Sequence, residues 1–487
     1  MKTICTLFAI LCLLIVNAQD KRDSLPPALS AIQQSELRKD LYELASDKMR
    51  GRRAGTLDEL RAAAWVAQKA REAGLEPAGN DGTYFQFFPL YRRVVSNESS
   101  LEINEKELSL WEEAWTTSPV EANIDESITW LESMADTTLN LQDKVVAMHL
   151  IPPSRMPAEG ISLWVYRYAL SAIREQSAVL KRQNVSAIVL IADSTATSEI
   201  GFFGHGFEEG TYAIEPQSRK DQISDTVPVI LVSRDWAREL QKADSRLSAT
   251  LKINEFTYPS ANVMAKVSGT DAELQEEYVL FSAHHDHDGI GAAVEGDSIW
   301  NGADDNATVS VALLAIGRAW KKNPGKRSAL FVWHGAEERG LFGSKYFVKN
   351  PPVNKDNIVA VLNGDMIGRN NPDAAALLGS IPPHRNSIDL VNMAMAANKQ
   401  ITNFNVDTSW DASSHPEFWY YRSDHLPYAQ ANIPAIFFST LLHPDYHTPK
   451  DEADKIDIDK LTKMTKWMYG TGWKVSQEEN APVLENE

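Results

Sequence analysis

Four short apolar runs in the second half of the chain constrain its fold more than any other feature. "EYVLFSA" (277–283), "SALFVW" (328–333), "NIVAVLN" (357–363) and "IPAIFFS" (433–439) each read as a buried strand. Helical periodicity separates them, in "ATVSVALLAIGRAWKK" (307–322), in "GSKYFVKN" (343–350), and again near 386–398 and 458–470. Strands alternating with helices predict an α/β fold: a mixed, largely parallel sheet flanked by helices.

The residues just beyond each strand point to chemistry. The first run ends in His284-His285-Asp286-His287, the second leads to His334 and Glu337-Glu338, and the third to Gly364-Asp365. The fourth enters a loop that closes on Tyr446-His447, and "NGADDNATV" (301–309) places Asp304 and Asp305 at a helix start. Alone, the Glu337-Glu338 doublet reads as a solvated loop and Asp305 as a helix N-cap. In an open α/β sheet, however, ligands bind beyond the carboxyl ends of the strands, where all these residues would converge. Histidines and carboxylates without cysteine suit a pair of divalent ions, zinc being favoured. One carboxylate can bridge two ions about 3.5–4 Å apart. Hydrolysis needs a further group, a base beside the attacking water that is not itself a ligand. Adjacent residues leaving a strand point in different directions, so one glutamate of the doublet can face a metal and its neighbour the water.

The 487 residues exceed one ordinary domain, and 43% hydrophobic content with 13 tryptophans supplies sizeable cores. A formal net charge of −18 disfavours nucleic acid and anionic membrane surfaces as partners. The start, "MKTICTLFAILCLLIVNAQ", has Lys2, an apolar run too short to span a bilayer, and Val16-Asn17-Ala18, the layout of a signal peptide cleaved after Ala18. Export to the periplasm or the extracellular space is therefore expected. Cys5 and Cys12 both lie in that leader, so the mature chain would hold neither disulfides nor thiolate ligands. Residues 101–255 carry strand and helix patterns but no convergent His/Asp/Glu cluster, and are expected to form an inserted domain. Within them "GFFGHGFEEG" (201–210) reads as a glycine-rich loop with a solvated His205. The tail from Ser476 is acidic and expected to be disordered.

In order, "AHHDHDG", "NGADDNA", "AEERGLFGS", "NGDMIG" and "YHTPKD" resemble the motifs of the secreted co-catalytic zinc aminopeptidases of peptidase clan MH, a group related to glutamate carboxypeptidases and glutaminyl cyclases. They span 283–451; "MRGRRAGT" is similar to the family's usual start, and 101–255 resembles the protease-associated (PA) domain that some members insert. The implied organisation is a signal peptide (1–18), a discontinuous peptidase domain (25–100 and 256–475), a PA-like domain (101–255) and a tail (476–487).

Carried over residue by residue, the resemblance implies two zinc ions, other divalent ions being alternatives. His284 would bind one and His447 the other, Asp305 would bridge them, Asp365 would complete the set, and Glu338 would share an ion with either histidine. Glu337 would be the general base. Asp286 would orient the His284 imidazole, as carboxylates do for zinc-bound histidine. Asp304 is read as a neighbour, and His285 and His287 as rim. Tyr420, in "YYRSDHLPY" (420–428), is the candidate to polarise the scissile carbonyl, with Tyr446 as its rival. Thr308-Val309 stands where many relatives have Ser-Gly, adding bulk near the metals.

The implied activity is removal of N-terminal residues from peptides or proteins with a free N-terminus. A carboxypeptidase or dipeptidase, a glutaminyl cyclase and a non-catalytic binding protein braced by metal are the rivals; a purely structural site would have no use for Glu337. The sequence sets neither the preferred side chain nor the oligomeric state.

Overall fold

The structure, a computed structural model, describes residues 25–138, 140–216 and 227–485. The leader with both cysteines lies outside them. Among the described residues, no helix is long and apolar enough to cross a membrane.

The four runs form the centre of a ten-stranded mixed sheet. Strands Ala435–Ser439, Ile358–Gly364, Tyr278–His284 and Ser328–His334 lie side by side in that order, all parallel. Antiparallel pairs flank them, Ala374–Leu378 on one side and Ile253–Val267 on the other, the latter continuing onto Phe85–Val95. Every residue of Tyr278–His284 and Ser328–His334 is buried, as expected of strands covered on both faces.

Alternation along the strands sorts side chains into two layers. Val279, Phe281 and Ala283 face one core with Phe331 and Trp333, covered by helices Gln34–Leu44, Leu57–Glu72, Thr308–Lys322, Ile388–Ile401 and Ile458–Gln477. Leu280, Leu330 and Val332 face the other, beneath Phe347 and Tyr428 of helices Phe342–Lys349 and His425–Gln430. Both faces being held by apolar packing, the sheet edge carrying the polar residues is a rigid platform.

The tail does not behave as its charge suggests. Buried Arg327 donates to the carbonyls of Val475 (3.0 Å) and Glu479 (3.2 Å). Glu485 pairs with Arg385 at 2.9 Å. The chain is thus fastened to the body through residue 485, because two buried or half-buried arginines find their partners there.

Residues 100–251 build a second, eight-stranded sheet with an apolar core on each face. Between two of its strands the chain passes through helix Ile200–Glu209 and strand Thr211–Ala213, which joins the main sheet against Phe85–Val95. The helix replaces the loop expected from "GFFGHGFEEG". Three interior glycines cost about 1 kcal/mol each, while burying Phe203 and Phe207, one turn apart, contributes roughly 1.5–3 kcal/mol apiece. Packing therefore outweighs propensity. Gly204 is required there: an added Cβ would lie 2.4 Å from Trp115 Nε1. On its other side the helix meets the main body, Phe202 stacking on Trp300 with ring centroids 5.7 Å apart.

Candidate metal centre

Strand termination brings the polar residues together. His284 and His334 are paired at the last register of neighbouring parallel strands, Asp365 directly follows the next strand, and Asp305 sits in the turn before helix Thr308–Lys322. His447 arrives on the loop after Ala435–Ser439.

The Asp305 carboxylate stands between the two histidines. Its Oδ1 is 3.2 Å from His284 Nε2 and its Oδ2 3.2 Å from His447 Nε2. His284 Nε2 is also 3.4 Å from Asp365 Oδ2, and His447 Nε2 is 3.2 Å from Glu338 Oε2. Donors at about 2.0–2.1 Å in a tetrahedron stand about 3.3–3.4 Å apart, so these spacings are those of ligands around zinc. Both Nε2 atoms and Asp365 Oδ1 are buried without a hydrogen-bond partner, which a polar atom tolerates only when something else satisfies it. The donor set thus fits two cations: His284, Asp305 and Asp365 for one, and Asp305, Glu338 and His447 for the other. Glu338, whose histidine the sequence left open, lies 3.2 Å from His447 and also falls within 4.8 Å of the His284 and Asp305 donors.

Glu337 lies against the first triad, a carboxylate oxygen within 4.8 Å of the donor atoms of His284 and Asp365. Its Oε2 is 3.9 Å from His284 Nε2, beside the first triad. Burial pushes its carboxyl well above the usual range; His284 opposes this, while Glu338, Asp365 and Asp424 add to it. Burial likewise raises Asp365, to about 6, and Asp424, to about 7. Burial alone would depress His284 and His447, but the surrounding carboxylates outweigh it and hold both imidazoles well above their ordinary value. Such a density of acid calls for positive charge.

The supporting residues depart in part from expectation. Asp286 touches His284 Nδ1 through its backbone carbonyl at 3.2 Å, its carboxylate lying farther away at 3.8 Å. That carboxylate instead accepts the backbone N–H groups of Glu337 and Glu338. His285 and His287 are not rim: both are fully buried, and His287 Nδ1 contacts Glu338 Oε1 at 2.8 Å. Asp304 is a neighbour, as expected, its carboxylate accepting Gly368 N–H at 2.6 Å. Asp365 receives a hydrogen bond from Ser423 at 2.8 Å. Arg52 of "MRGRRAGT" is buried and donates to the carbonyls of His285, Asn301 and Gly302, lashing two of the motif loops together.

Tyr420 packs among other rings: it stacks on His384 at 4.1 Å and meets His425 edge-on, and burial, with Asp411 and Tyr421, raises its hydroxyl to about 12. Tyr446 is the tyrosine at the site: it packs on His447 at 4.0 Å, and its hydroxyl feels His447, Asp305, Glu338 and Glu337. The reason is local, since Tyr446 rides on the same loop as the ligand.

One residue was missed altogether. Asp288 Oδ2 lies 3.1 Å from His447 Nδ1, and its Oδ1 accepts from Arg339 at 3.1 Å. It stands to His447 as a carboxylate that fixes imidazole orientation. The run His-His-Asp-His-Asp held the signal, because alternate residues of an extended segment share a side.

Residues 262–471 match the family model of Peptidase family M28. The chain is 23% identical over 263 residues to aminopeptidase YwaD of Bacillus subtilis, covering 53% of each chain. It is 27% identical over 257 residues to a probable leucine aminopeptidase of Trichophyton verrucosum, covering 50% of this chain and 66% of that one. The chain thus spans about half to two thirds of the length of these curated relatives. Its fold is that of a zinc aminopeptidase from Bacillus subtilis, with a TM-score of 0.60, 17% identity, and coverage of 94% of this chain and 97% of the other. An aminopeptidase from Aneurinibacillus sp. strain AM-1 superposes similarly, with a TM-score of 0.57, 18% identity and the same coverages.

Proposed function

We propose, from the match of residues 262–471 to the model of Peptidase family M28, that this protein is an exported metallo-aminopeptidase carrying two zinc ions. The observation that carries the reading is Asp305, whose two oxygens each stand 3.2 Å from the Nε2 of a different histidine, with Glu337 alongside.

His284, Asp305 and Asp365 would hold one ion and Asp305, Glu338 and His447 the other; zinc bound there would supply Lewis acidity at the scissile carbonyl and would make water a stronger acid. Glu337 takes a proton from the water that attacks the amide carbon and returns it to the departing amine as the C–N bond breaks. Asp286 fixes the backbone from which Glu337 and Glu338 project, and Asp288 fixes the His447 ring. Tyr446, whose ring packs on His447 at 4.0 Å, takes in this reading the oxyanion-donor role expected of Tyr420. Residues 101–255 act as the inserted PA-like domain.

Mass spectrometry of defined peptides incubated with the zinc-loaded protein tests this. Chelator-sensitive loss of N-terminal residues from free but not N-acetylated peptides is expected. Loss of C-terminal residues would instead establish a carboxypeptidase, and loss of ammonia from N-terminal glutamine without shortening a cyclase. Unchanged peptides with both metals bound would leave a binding protein and remove the role given to Glu337.

A further inference from the structure

A cavity of about 260 Å³ lies between the first turn of helix Leu57–Glu72 and strands Phe85–Val95, Thr211–Ala213 and Ile253–Val267. Part of its wall is basic, from Arg53, Arg92 and the polar tip of Tyr212. The rest is chiefly apolar, from Leu57, Leu60, Tyr258 and Pro259. No acid and none of the metal ligands lines it. In a chain of net charge −18, two arginines without a carboxylate make a local reversal of sign.

Three guanidinium groups surround the Tyr212 ring. Arg92 and Arg339 lie 5.4 and 5.6 Å from its centroid, and Arg53 donates to its hydroxyl at 3.1 Å. Two of the three are neutralised: Glu209 pairs with Arg53 at 3.0 Å and Arg339 at 2.6 Å, and Asp288 pairs with Arg339 at 3.1 Å. Arg92 is not. Its Nε donates to the Glu209 backbone carbonyl at 2.9 Å, and its two terminal nitrogens have no acceptor among the described residues. The Tyr212 oxygen accepts from Arg53, so its own proton is left to donate.

The acids of the adjoining helix turn do not answer this charge. Asp58 is engaged by Arg50 at 3.2 Å and Arg61 at 2.7 Å. Buried Glu59 accepts the Gly55 N–H at 2.6 Å and the Ser260 hydroxyl. The helix itself adds the positive end of its dipole.

These groups specify a ligand. The paired terminal nitrogens of an arginine match the two oxygens of a carboxylate, and the apolar wall suits a side chain attached beside it. A free amino acid is disfavoured, because its ammonium would be desolvated with no acid to meet it. A carboxylate without an ammonium, next to an apolar side chain, is the end of a peptide chain. The volume has room for one such residue and no more.

We propose that this cavity binds the C-terminal residue of a peptide, its carboxylate on Arg92, Arg53 and the Tyr212 hydroxyl and its apolar side chain against Leu57, Leu60, Tyr258 and Pro259. The site is separate from the metal centre and does not rest on the peptidase reading.

Calorimetric titration of the zinc-loaded full chain with N-acetyl-L-phenylalanine tests this. The comparison probes are N-acetyl-L-phenylalaninamide, which lacks the negative charge, free L-phenylalanine, which adds an ammonium, and inorganic phosphate, which lacks the side chain. The N-acetyl acid is expected to bind about tenfold or more tighter than each of them. Arg92→Gln should weaken its binding by about tenfold or more. Leu57 gives a variant that spares the fold: it lines the cavity, is 78% exposed and opens its helix. Leu57→Glu puts a repelling charge there with a residue that a helix N-terminus favours, and should weaken binding similarly. Binding at the metal centre would survive both substitutions. No binding of the N-acetyl acid, binding of any comparison probe as tight as that of the acid, or an affinity unchanged in Leu57→Glu overturns the proposal.

Discussion

The Asp286 carboxylate accepts the backbone N–H of Glu337 at 3.0 Å with one oxygen and that of Glu338 at 3.3 Å with the other. A single buried acid therefore fixes the backbone from which two neighbouring glutamates project. Asp286→Ala leaves both N–H groups without acceptors and is expected to lower kcat by about 10–100-fold, with weakened zinc retention. Steady-state kinetics and zinc competition with a chelator measure this. Wild-type kcat in the variant would show that the glutamates are held by the sheet alone.

The doublet itself should divide by function. Glu337→Gln is expected to keep two zinc ions per chain while losing about 10²–10⁴-fold in kcat. Glu338→Gln is expected to lose one equivalent. Native mass spectrometry with metal analysis separates the two cases, and equal metal loss in both variants would contradict the assignment.

Asp288, which faces His447 rather than a substrate, has its own signature. Asp288→Asn should weaken one of the two zinc sites about 10–100-fold and leave the other near its wild-type affinity. A two-phase zinc titration would reveal it. Equal weakening of both sites would mean that Asp288 supports the whole cluster through Arg339.

Glu59 predicts a pH effect on stability. Burial and the Asp286 charge raise its carboxyl from 4.5 to about 8, against the Ser260 hydroxyl and the Gly55 N–H that favour the anion. The folded state thus binds more protons than the unfolded one between these values, so this group's contribution falls as pH rises from about 4.5 to 8. The full effect is on the order of a few kcal/mol. In urea titrations of zinc-loaded protein, wild type should lose stability relative to Glu59→Gln as pH rises from 5 to 8. Parallel curves would show that Glu59 is ionised throughout.

Gly204 lets helix Ile200–Glu209 lie against Trp115, and Gly204→Ala should cost about 1–3 kcal/mol through that clash. The loss is expected despite the better helix propensity of alanine. Thermal unfolding would report it as a lowered Tm, and a raised Tm would place the helix elsewhere.

The chain's own order made much of this legible. Strand and helix in the main sheet follow from apolar periodicity, a local property, and residues that directly follow a strand must emerge at its carboxyl end. Hence His284, Glu337, Glu338 and Asp365 could be placed at one sheet edge from the sequence alone, and His447 and Asp305 joined them through ordered motifs. Distances between remote residues were not legible in this way. That Glu338 faces His447, that Asp288 braces the same ring, that Tyr420 packs on His384, and that Arg53, Arg92 and Tyr212 share a cavity all depend on how separate segments pack. Even the helix at Ile200–Glu209 and the fastened tail belong to this second group, because phenylalanine burial and buried arginines overrode local glycine content and acidity. Periodicity decides what a segment becomes, whereas a metal site and its pocket are sets of ångström-scale separations between segments, and only close packing of the whole chain determines those.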